Sequence, residues 1–454
     1  MSNIEMQGTV LAPLKCSVSI DQIGNDALIN NHKNLYSYKK CVTIPPMSMI
    51  DDILTVTKCS NDSIKINALI EAKTAGKQLN LGEEKCSLMH IGKSIERCRH
   101  LTVNGFAMNT TQRQTYLGDI ISSDGKIDQS VSERHNRGIG VVTQILALLS
   151  EVYFGHHYFE MAFLFRNTML INSILCSIEA VHGIKTHHIE KLEACDKFLL
   201  RKLLNARFNT AIEALYLETG LIPIRFIIVA RRLVYYWNIL QKPETELVKQ
   251  VFNAQKIAPL KNDWILQIED DLKLCNINYT EQEITNMSKA KFKAIVKESI
   301  RETARNYLID LKNSHSKSKG LDNSYQLQPY LQCDSLSLQE KQLLFKFRTF
   351  TYEVKNNYKY KYKSDLTCHN CTETDSQEHL LNCSIADNIS KDNCKPDDIF
   401  NNLEKQIKIV RILVQIDQKR QLSEKYSSSS GSQEHSIPHS AGGDVPHVYV
   451  FLYT

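Results

Sequence analysis

The chain has 454 residues, of which 42% are hydrophobic and 23% charged, and its formal net charge is +5. This length is sufficient for two to four domains with separate cores, and the composition is that of ordinary globular proteins. A net charge of +5 on 454 residues is too small to indicate a nucleic-acid-binding protein by itself. The distribution of the charges therefore carries more information than their sum.

The apolar segments disfavour a membrane protein. A membrane-spanning helix needs about 18 or more consecutive apolar residues, and the candidate FIIVARRLVYYW at 226–237 is interrupted by Arg231 and Arg232. The N-terminal MSNIEMQGTV lacks the basic and apolar regions of a signal peptide. We therefore expect an intracellular protein without a membrane partner, with its 13 cysteines in a reducing compartment.

Residues 1–125 alternate between strand and helix patterns. VTIPPMSMIDDILTVTKC indicates a strand, a turn and a strand, with Asp51 and Asp52 at the turn. A helical repeat follows, in which Ile66 and Ile70 share one face, and KCSLMHIG, HLTVNGFAM and TYLGDIIS predict further short strands. This part of the chain is expected to form an antiparallel sheet with at least one helix.

The rest of the chain is mainly helical. Residues 126–241 show three-to-four spacing almost throughout and predict a bundle, and 242–330 continue as amphipathic helices that end in a Ser-, Asn-, Lys- and Gly-rich linker at 313–324. A further helix and a Cys/His cluster lie in 331–395, and 396–454 predict a short helix and a low-complexity, disordered tail. The predicted fold class is α+β, mainly α.

The sequence CHNCTETDSQEHLLNC gives the spacing Cys368-x2-Cys371-x7-His379-x3-Cys383. Three thiolates and one imidazole nitrogen can surround Zn²⁺ tetrahedrally, and a filled shell leaves no position for a reacting water. The predicted role is therefore structural, with on the order of 10 kcal/mol of binding free energy available for folding. His369 lies inside the turn and is the weaker ligand candidate, and the alternative interpretation is a chance group of cysteines in a loop.

The segment 341–363, here called the basic-aromatic segment, precedes this cluster. It combines cations with tyrosines, namely Lys341, Lys346, Arg348, Lys355, Lys359, Lys361 and Lys363 with Tyr352, Tyr358, Tyr360 and Tyr362. Cations neutralise phosphates and aromatic rings stack on unpaired bases. A solvated basic surface is the alternative, and the neighbouring zinc candidate favours nucleic-acid binding.

The pair Asp51-Asp52 has two interpretations from local sequence. Asp is common in exposed turns, and neighbouring side chains on a strand point to opposite faces. At the tip of a tight hairpin, however, adjacent carboxylates could share a divalent metal ion. The histidine pair His187-His188 gives a weaker metal candidate, because adjacent helical residues point about 100° apart, and we expect helix capping or surface positions for it.

In chain order, these motifs resemble the reverse transcriptases of non-LTR (LINE-like) retrotransposons. MQGTVLAPL resembles the Gln-Gly motif of that family, MSMIDDIL its x-x-Asp-Asp catalytic hairpin, and LNLGEEKCSLMHIG the Lys-bearing strand that follows. TYLGDIISSDG resembles the primer-grip region, LETGLIPI a thumb motif and LTCHNCTETDSQEHLLNC the C-terminal zinc-knuckle-like element. The resemblance covers about 1–390.

The resemblance implies a right-hand polymerase that acts on an RNA template and a DNA primer in the nucleus. Residues 1–125 would be a partial palm, 126–241 the helical thumb, 242–330 connecting helices and 331–395 the nucleic-acid module. In such enzymes two Mg²⁺ ions hold the attacking hydroxyl and the nucleotide phosphates. The cofactors implied are thus Mg²⁺ at the polymerase site and structural Zn²⁺.

The resemblance also assigns roles to individual residues. Asp51 would be the principal catalytic Mg²⁺ ligand, and Asp52 its weaker partner. The remaining assignments are Gln7 and Gly8 to the template and nucleotide pocket, Lys85 to the incoming phosphates, and Tyr116, Leu117 and Gly118 to the primer grip. Nucleic-acid contacts are expected from Lys346, Arg348, Lys355, Lys359 and Lys361.

One departure from the family bears on activity. The second metal-binding aspartate of these enzymes, in an F-x-x-D strand, would precede Gln7, where this sequence has six residues. Asp21 and Asp26 follow the Gln-Gly motif and are on the wrong element to replace it. We therefore expect an N-terminally truncated reverse transcriptase that is inactive alone. The alternative is a non-catalytic nucleic-acid-binding protein that uses the basic-aromatic segment and the zinc module.

Overall fold

The structure is a computed structural model, and it describes residues 32–49, 52–76, 86–91, 102–103, 105–116, 119–152, 154–261, 263–318, 320–362, 365–368, 371–383 and 398–428. The chain divides into two compact units, Met1–Tyr352 and Glu353–Thr454. The boundary between them falls inside the basic-aromatic segment, within the range 331–395 that the sequence predicts as one module.

Ten short strands are found in the described part of the first unit. In chain order they are β1 to β10: Ser37–Tyr38, Val42–Thr43, Met47–Met49, Asp52–Leu54, Ser87–Leu88, Thr102–Val103, Phe106–Ala107, Asn109–Thr110, Arg113–Tyr116 and Asp119–Ser122. They pair two by two, and β5 with β8 is a parallel pair. The antiparallel pairing expected from the sequence is present in the described residues, but as four separate two-stranded pairs.

The Asp-Asp hairpin has the two strands that the sequence predicts. Strands β3 and β4 are antiparallel with Met49 opposite Asp52, and residues 50–51 lie outside the described residues. The next element is helix α1, Ser60–Gly76, and its buried face, including Ile66 and Ile70, packs with Leu35 and the hairpin residue Ile53. Apolar burial thus joins the hairpin to the helix that follows it.

The remainder of the first unit is helical, and the predicted mainly helical fold is confirmed. Helices α2 to α13 are Asp128–Glu151, Tyr158–Phe165, Ile171–Leu175, Thr186–Leu203, Ile212–Thr219, Ile224–Leu240, Leu247–Ile257, Trp264–Leu274, Glu281–Asn286, Lys289–Ser314, Pro329–Gln332 and Leu338–Arg348. A π-helical turn, Arg166–Leu170, separates α3 from α4. Helix α2 packs on α5, and α7 packs on α11.

Buried arginine-carboxylate pairs join these helices. Each guanidinium makes two hydrogen bonds to one carboxylate, a geometry that fixes orientation as well as distance. The pairs are Arg166 with Asp196, at 2.6 and 2.7 Å, Arg232 with Asp271, at 2.7 and 2.8 Å, and Arg348 with Glu218, at 2.9 and 2.8 Å. The sequence pattern identifies none of these pairings, since the partners are 30 to 130 residues apart.

The Ser- and Asn-rich segment at 313–324 is not a free linker. Lys312 Nζ donates to the carbonyl of Leu321 at 2.8 Å, and the buried Tyr325 donates from its hydroxyl to the carbonyl of Leu221 at 2.8 Å. Gly220, which follows α6, has φ +65°, and a Cβ there would lie 2.7 Å from the backbone of Gln326. Packing therefore fixes this segment against the bundle.

The second unit contains four helices in its described residues: α14, Lys359–Tyr362, α15, Gln377–Asn382, α16, Asp398–Asn401, and α17, Leu403–Ser428. The predicted short C-terminal helix is 26 residues long and buries Ile409, Leu413 and Ile416 on one face. The tail after 428 lies outside the described residues. Across the described residues of both units, no helix has the length and apolar character needed to cross a membrane.

Candidate metal centre and nucleic-acid interface

A short hairpin-like turn positions the first two cysteines. Thr367 and Thr374 form an isolated antiparallel bridge. The amide of Cys368 donates to the carbonyl of Glu373 at 2.7 Å, and the amide of Asp375 donates to the carbonyl of Leu366 at 2.8 Å. These bonds close the turn that contains Cys371, so both thiols lie at the same end of it.

Helix α15 positions the other two ligand candidates. Ser376 is its N-cap, and the side-chain oxygen of Ser376 accepts a hydrogen bond from the amide of His379 at 3.1 Å. Cys383 follows the last helical residue, one turn beyond His379, so both side chains project from the same face. Leu380 and Leu381 are buried and hold the other face in place.

The four side chains converge as the sequence spacing predicts. The ligand atoms of Cys368, Cys371, His379 and Cys383 all lie within 4.8 Å of one another. Cys368 Sγ and Cys383 Sγ are 3.8 Å apart, and Cys371 Sγ lies 3.2 Å from His379 Nε2. Tetrahedral zinc with Zn–S bonds of about 2.3 Å separates two sulfurs by about 3.8 Å, whereas a disulfide needs about 2.05 Å. The cluster can therefore bind a metal such as zinc, and its three cysteines are not disulfide-bonded.

The environment of His379 selects the tautomer that a metal needs. Glu373 Oε2 lies 3.3 Å from His379 Nδ1, while Nε2 faces Cys371. A proton on Nδ1, directed at the carboxylate, leaves the lone pair of Nε2 for the metal. Glu373 was not predicted from the sequence. The sequence signal for it is weak, because three acidic residues, Glu373, Asp375 and Glu378, lie between the second cysteine and the histidine.

Asp128, His187 and His188 form a second cluster of possible ligands in the first unit. His188 Nε2 lies 3.1 Å and His187 Nε2 3.6 Å from Asp128 Oδ1. His188 Nδ1 accepts a hydrogen bond from the amide of Lys185 at 3.1 Å, so the proton of a neutral ring is on Nε2 and is donated to Asp128. This hydrogen bond from His188 lowers the pKa of Asp128.

The tautomer thus excludes His188 as a metal ligand in this arrangement, because a nitrogen that carries a proton has no lone pair for the metal. His188 instead caps the start of α5 through the Lys185 amide, and His187 is exposed. Both positions agree with the capping or surface role expected for this pair.

The basic-aromatic segment is only partly at the surface. Arg348 is fully buried on Glu218, and Lys341 is also buried. Lys355 is buried, and its Nζ lies 2.8 Å from Asp365 Oδ2. The predicted nucleic-acid contacts of Arg348 and Lys355 are therefore corrected, because their charged groups already bind carboxylates in the folded chain.

The exposed part of the segment is helix α14. Lys359 and Lys361 are exposed there, Tyr360 is 75% exposed, and Lys361 Nζ lies 5.3 Å from the ring centroid of Tyr362. Residues Lys359–Tyr362 are called the Lys-Tyr patch below. Lys346 is half-buried in α13, in the other unit, and Lys363 lies outside the described residues.

Asp375 connects the Lys-Tyr patch to the metal cluster. The 3-10 helix Lys355–Tyr358 leads directly into α14, and Asp375 Oδ2 accepts a hydrogen bond from the Lys355 amide at 2.9 Å. Arg420 of α17 donates to Asp375 Oδ1 at 2.9 Å. One buried carboxylate therefore holds the cysteine turn, the base of the patch and the C-terminal helix together.

The residues assigned to the polymerase site are described only in part. The Tyr116 hydroxyl donates to the carbonyl of Met47 at 3.4 Å, so the strand of the predicted primer grip meets the Asp-Asp hairpin. Asp52 is the first residue of β4. The other assigned residues, Gln7, Gly8, Asp51, Lys85, Leu117 and Gly118, lie outside the described residues. The Mg²⁺ site therefore stays a prediction.

Comparison with known proteins finds a match to a family model. A family model with the description "Family of unknown function (DUF5718)" matches residues 232–419, which is less than half of the chain. The matched range includes all four residues of the Cys/His cluster. No curated protein matches the chain. No solved structure matches it either.

Proposed function

We propose that this chain is a nucleic-acid-binding protein of the non-LTR reverse-transcriptase type, and that its second unit binds RNA or DNA through a zinc-stabilised module. The observation that carries the proposal is the connection made by Asp375, which holds the Cys₃His cluster and the base of the Lys-Tyr patch together. We also propose that the first unit contains the partial palm, the helical thumb and the connecting helices of such an enzyme.

The metal would act as a structural cross-link. Zn²⁺ bound by Cys368, Cys371, His379 and Cys383 would join the cysteine turn to α15, two elements too short to be stable alone in water. Four protein ligands fill a tetrahedral shell. The residues of the chain then do the binding: Lys359 and Lys361 contact phosphates, and the exposed ring of Tyr360 stacks on a base.

The test measures the affinity of the full chain for a fluorescent single-stranded oligonucleotide over a range of salt concentrations. The double variant Lys359→Gln/Lys361→Gln should bind more weakly, and its salt slope should fall by about 1.4 for two lost phosphate contacts to a single strand. Tyr360→Ala should also weaken binding. Lys261→Gln is the matched control, because Lys261 is an exposed lysine of the first unit. Unchanged affinity and slope in the double variant would refute the proposed interface.

Zinc dependence is tested separately. The metal content of the purified chain should be about one zinc per chain, and Cys371→Ser should lower both zinc content and oligonucleotide affinity. A chain that binds the oligonucleotide equally well after complete metal removal would show that the cluster does not support the interface.

A polymerase site is the second candidate function. The contact of Tyr116 with Met47 favours it, because this contact joins two motifs assigned to primer binding and to catalysis. Mg²⁺ would supply charge neutralisation at the reacting phosphates. The test is primer extension on an RNA template with Mg²⁺, for the unmodified chain and for Asp51→Ala. Templated synthesis that is lost in Asp51→Ala would establish the polymerase function, and no synthesis by the unmodified chain would count against it.

A further inference from the structure

Helix α5 places acidic side chains in the interior of the bundle and basic side chains at the surface. Glu193 and Asp196 are buried, and each is matched by cations or hydroxyl groups inside the bundle. Glu193 accepts from Arg225 Nε at 2.8 Å and from Lys197 Nζ at 3.0 Å. Burial alone would raise the pKa of Glu193, but the hydrogen bonds from Arg225 and Lys197 lower it, so this carboxylate is ionised and neutralised internally.

The exposed C-terminal end of the same helix is basic and aromatic instead of acidic. From 198 to 212 the sequence contains three Lys or Arg residues and no Asp or Glu. Phe198 is 38% exposed and Phe208, in the loop after the helix, is 90% exposed. Lys202 Nζ lies 5.6 Å from the ring centroid of Phe198, and the Arg201 guanidinium carbon 5.5 Å from that of Phe208.

The fold gains little from the ring of Phe208. Apolar burial contributes about 25 cal/mol per Å² removed from solvent, so a ring as exposed as that of Phe208 contributes almost none of it. The cation-π pair at an exposed site adds only about 0.5 to 1 kcal/mol. Packing therefore does not explain an aromatic ring at this position, and replacing it should leave the fold intact.

Arg201 and Lys202 lie beside the two exposed rings. Lys202 is four residues and Arg201 three residues after Phe198 on α5, so both are neighbours of that ring, and Arg201 also covers one face of Phe208. An unpaired nucleotide matches this arrangement, because it presents a flat base for stacking and a phosphate one sugar away for the adjacent cation. A base in a duplex is already stacked on both sides and does not.

We propose that Phe198, Arg201, Lys202 and Phe208 form a second nucleic-acid-binding surface, which contacts unpaired nucleotides. The choice of nucleic acid as the partner rests on the proposed function. All four residues belong to the first unit, whereas the Cys/His cluster belongs to the second.

The test uses the full chain with Cys371→Ser, which disables the metal module, and a labelled oligonucleotide of about 12 nucleotides, a length within the site sizes of single-strand-binding folds. Phe208→Ala should weaken binding to single-stranded RNA or DNA about fivefold or more, the effect expected for one lost stacking contact. Ile257→Ala is the matched control, because Ile257 is also an apolar side chain with 85% exposure. Single-stranded RNA and DNA are compared with a duplex and with anionic lipid vesicles.

Equal affinities of Phe208→Ala and Ile257→Ala would overturn the inference, as would stronger binding to the duplex or to the vesicles. If Cys371→Ser does not fold, ultraviolet cross-linking of a uridine-rich oligonucleotide to the unmodified chain replaces the assay. Cross-links mapped to Phe198 or Phe208 support the surface, and cross-links confined to other peptides overturn it.

The proposed C-terminal module and the proposed second surface can be refuted independently of each other. If Phe208→Ala weakens binding while Lys359→Gln/Lys361→Gln and metal removal do not, the C-terminal module is refuted and the second surface stands. If Lys359→Gln/Lys361→Gln and metal removal weaken binding while Phe208→Ala does not, only the second surface is refuted.

Discussion

Arg348 and Glu218 are 130 residues apart in the chain, yet they form a fully buried ion pair in the first unit. Arg348 donates from Nε and from a terminal nitrogen to the two carboxylate oxygens, and the hydroxyl of Tyr330 donates to Glu218 Oε2 at 2.7 Å. Glu218 belongs to the LETG sequence read as a thumb motif, and Arg348 to the segment read as a nucleic-acid interface. The pair therefore connects α6 to α13 and gives both residues a structural role.

This pair gives the first prediction. Arg348→Leu should lower the free energy of unfolding by about 3 to 5 kcal/mol, because it leaves the Glu218 carboxylate buried without a countercharge. Urea denaturation followed by circular dichroism measures the change. Lys297→Leu, at an exposed position of α11, should stay within about 0.5 kcal/mol. A loss for Arg348→Leu no larger than for this control would contradict the structural role.

Two glycines of α2 supply a matched pair of substitutions. A Cβ on Gly138 would lie 2.6 Å from Ile174 Cγ2 and 2.8 Å from Cys195 Sγ, whereas a Cβ on Gly140 meets nothing within 4 Å. Gly138→Ala should therefore destabilise the chain by about 1 to 3 kcal/mol through overpacking. Gly140→Ala should stabilise it by up to about 1 kcal/mol, because Ala favours the helix. Thermal unfolding checks both, and equal effects would show that α2 does not pack closely at Gly138.

The metal centre gives a prediction about its supporting carboxylate. Glu373→Gln should weaken zinc binding about tenfold, because the neutral amide holds the Nδ1 proton of His379 less strongly. Glu378→Gln, on an exposed position of α15, is the control and should bind zinc normally. Competition with a chromophoric chelator measures both affinities. Identical values would mean that Glu373 does not orient the ligand.

Asp119 gives a prediction about pH. Burial alone would raise its pKa, but hydrogen bonds from Ser130 and Arg134 outweigh burial and lower the pKa below 3.8. Because the pKa is lower in the folded chain, the carboxylate stabilises the fold at pH above about 4, and this contribution disappears as the pH falls through the folded value. Unfolding free energies from about pH 6 to about pH 3 should therefore fall less steeply for Asp119→Asn than for the unmodified chain.

The Asp119 prediction has a site-specific check. Ser130→Ala removes one of the hydrogen bonds to the carboxylate, so the pKa of Asp119 should rise, as followed by the NMR shift of its side-chain carbon during titration. A pKa that is unchanged in this variant would show that Ser130 does not stabilise the ionised form. Ser132→Ala is the control, because the Ser132 hydroxyl donates to the Asp128 backbone carbonyl.

The local sequence pattern was sufficient to predict those structural features that depend on neighbouring residues. The three-to-four spacing of apolar residues predicted the helices at Asp128–Glu151, Thr186–Leu203 and Lys289–Ser314, because amphipathic periodicity is a property of consecutive residues. The two strands on either side of Asp51 were also predicted, from a short strand-turn-strand pattern, although Asp52 was expected in the turn and is the first residue of β4. The ligand spacing in the Cys/His cluster also predicted the convergence of four side chains, since turn and helix geometry fix their separation within 16 residues.

The local sequence pattern did not predict the burial of a charged side chain whose partner is distant in the sequence. The cations of the basic-aromatic segment looked alike, but Arg348 and Lys355 are buried on carboxylates, whereas Lys359 and Lys361 are exposed. The linker at 313–324 is tied to the bundle through Lys312 and Tyr325 for a similar reason. Composition cannot distinguish a charge that faces water from one whose partner is 130 residues away.

The sequence alone thus determined the mainly helical class, the pairing of β3 with β4 and the convergence of the four Cys/His side chains, because each depends on residues close together in the chain. Only the tertiary structure decided which cations remain at the surface, that Glu373 and Asp375 support the cluster, and that α5 buries its acids and exposes Phe198 and Lys202. The reason is desolvation: a charge removed from water needs a partner, and folding alone brings partners from distant parts of the chain together.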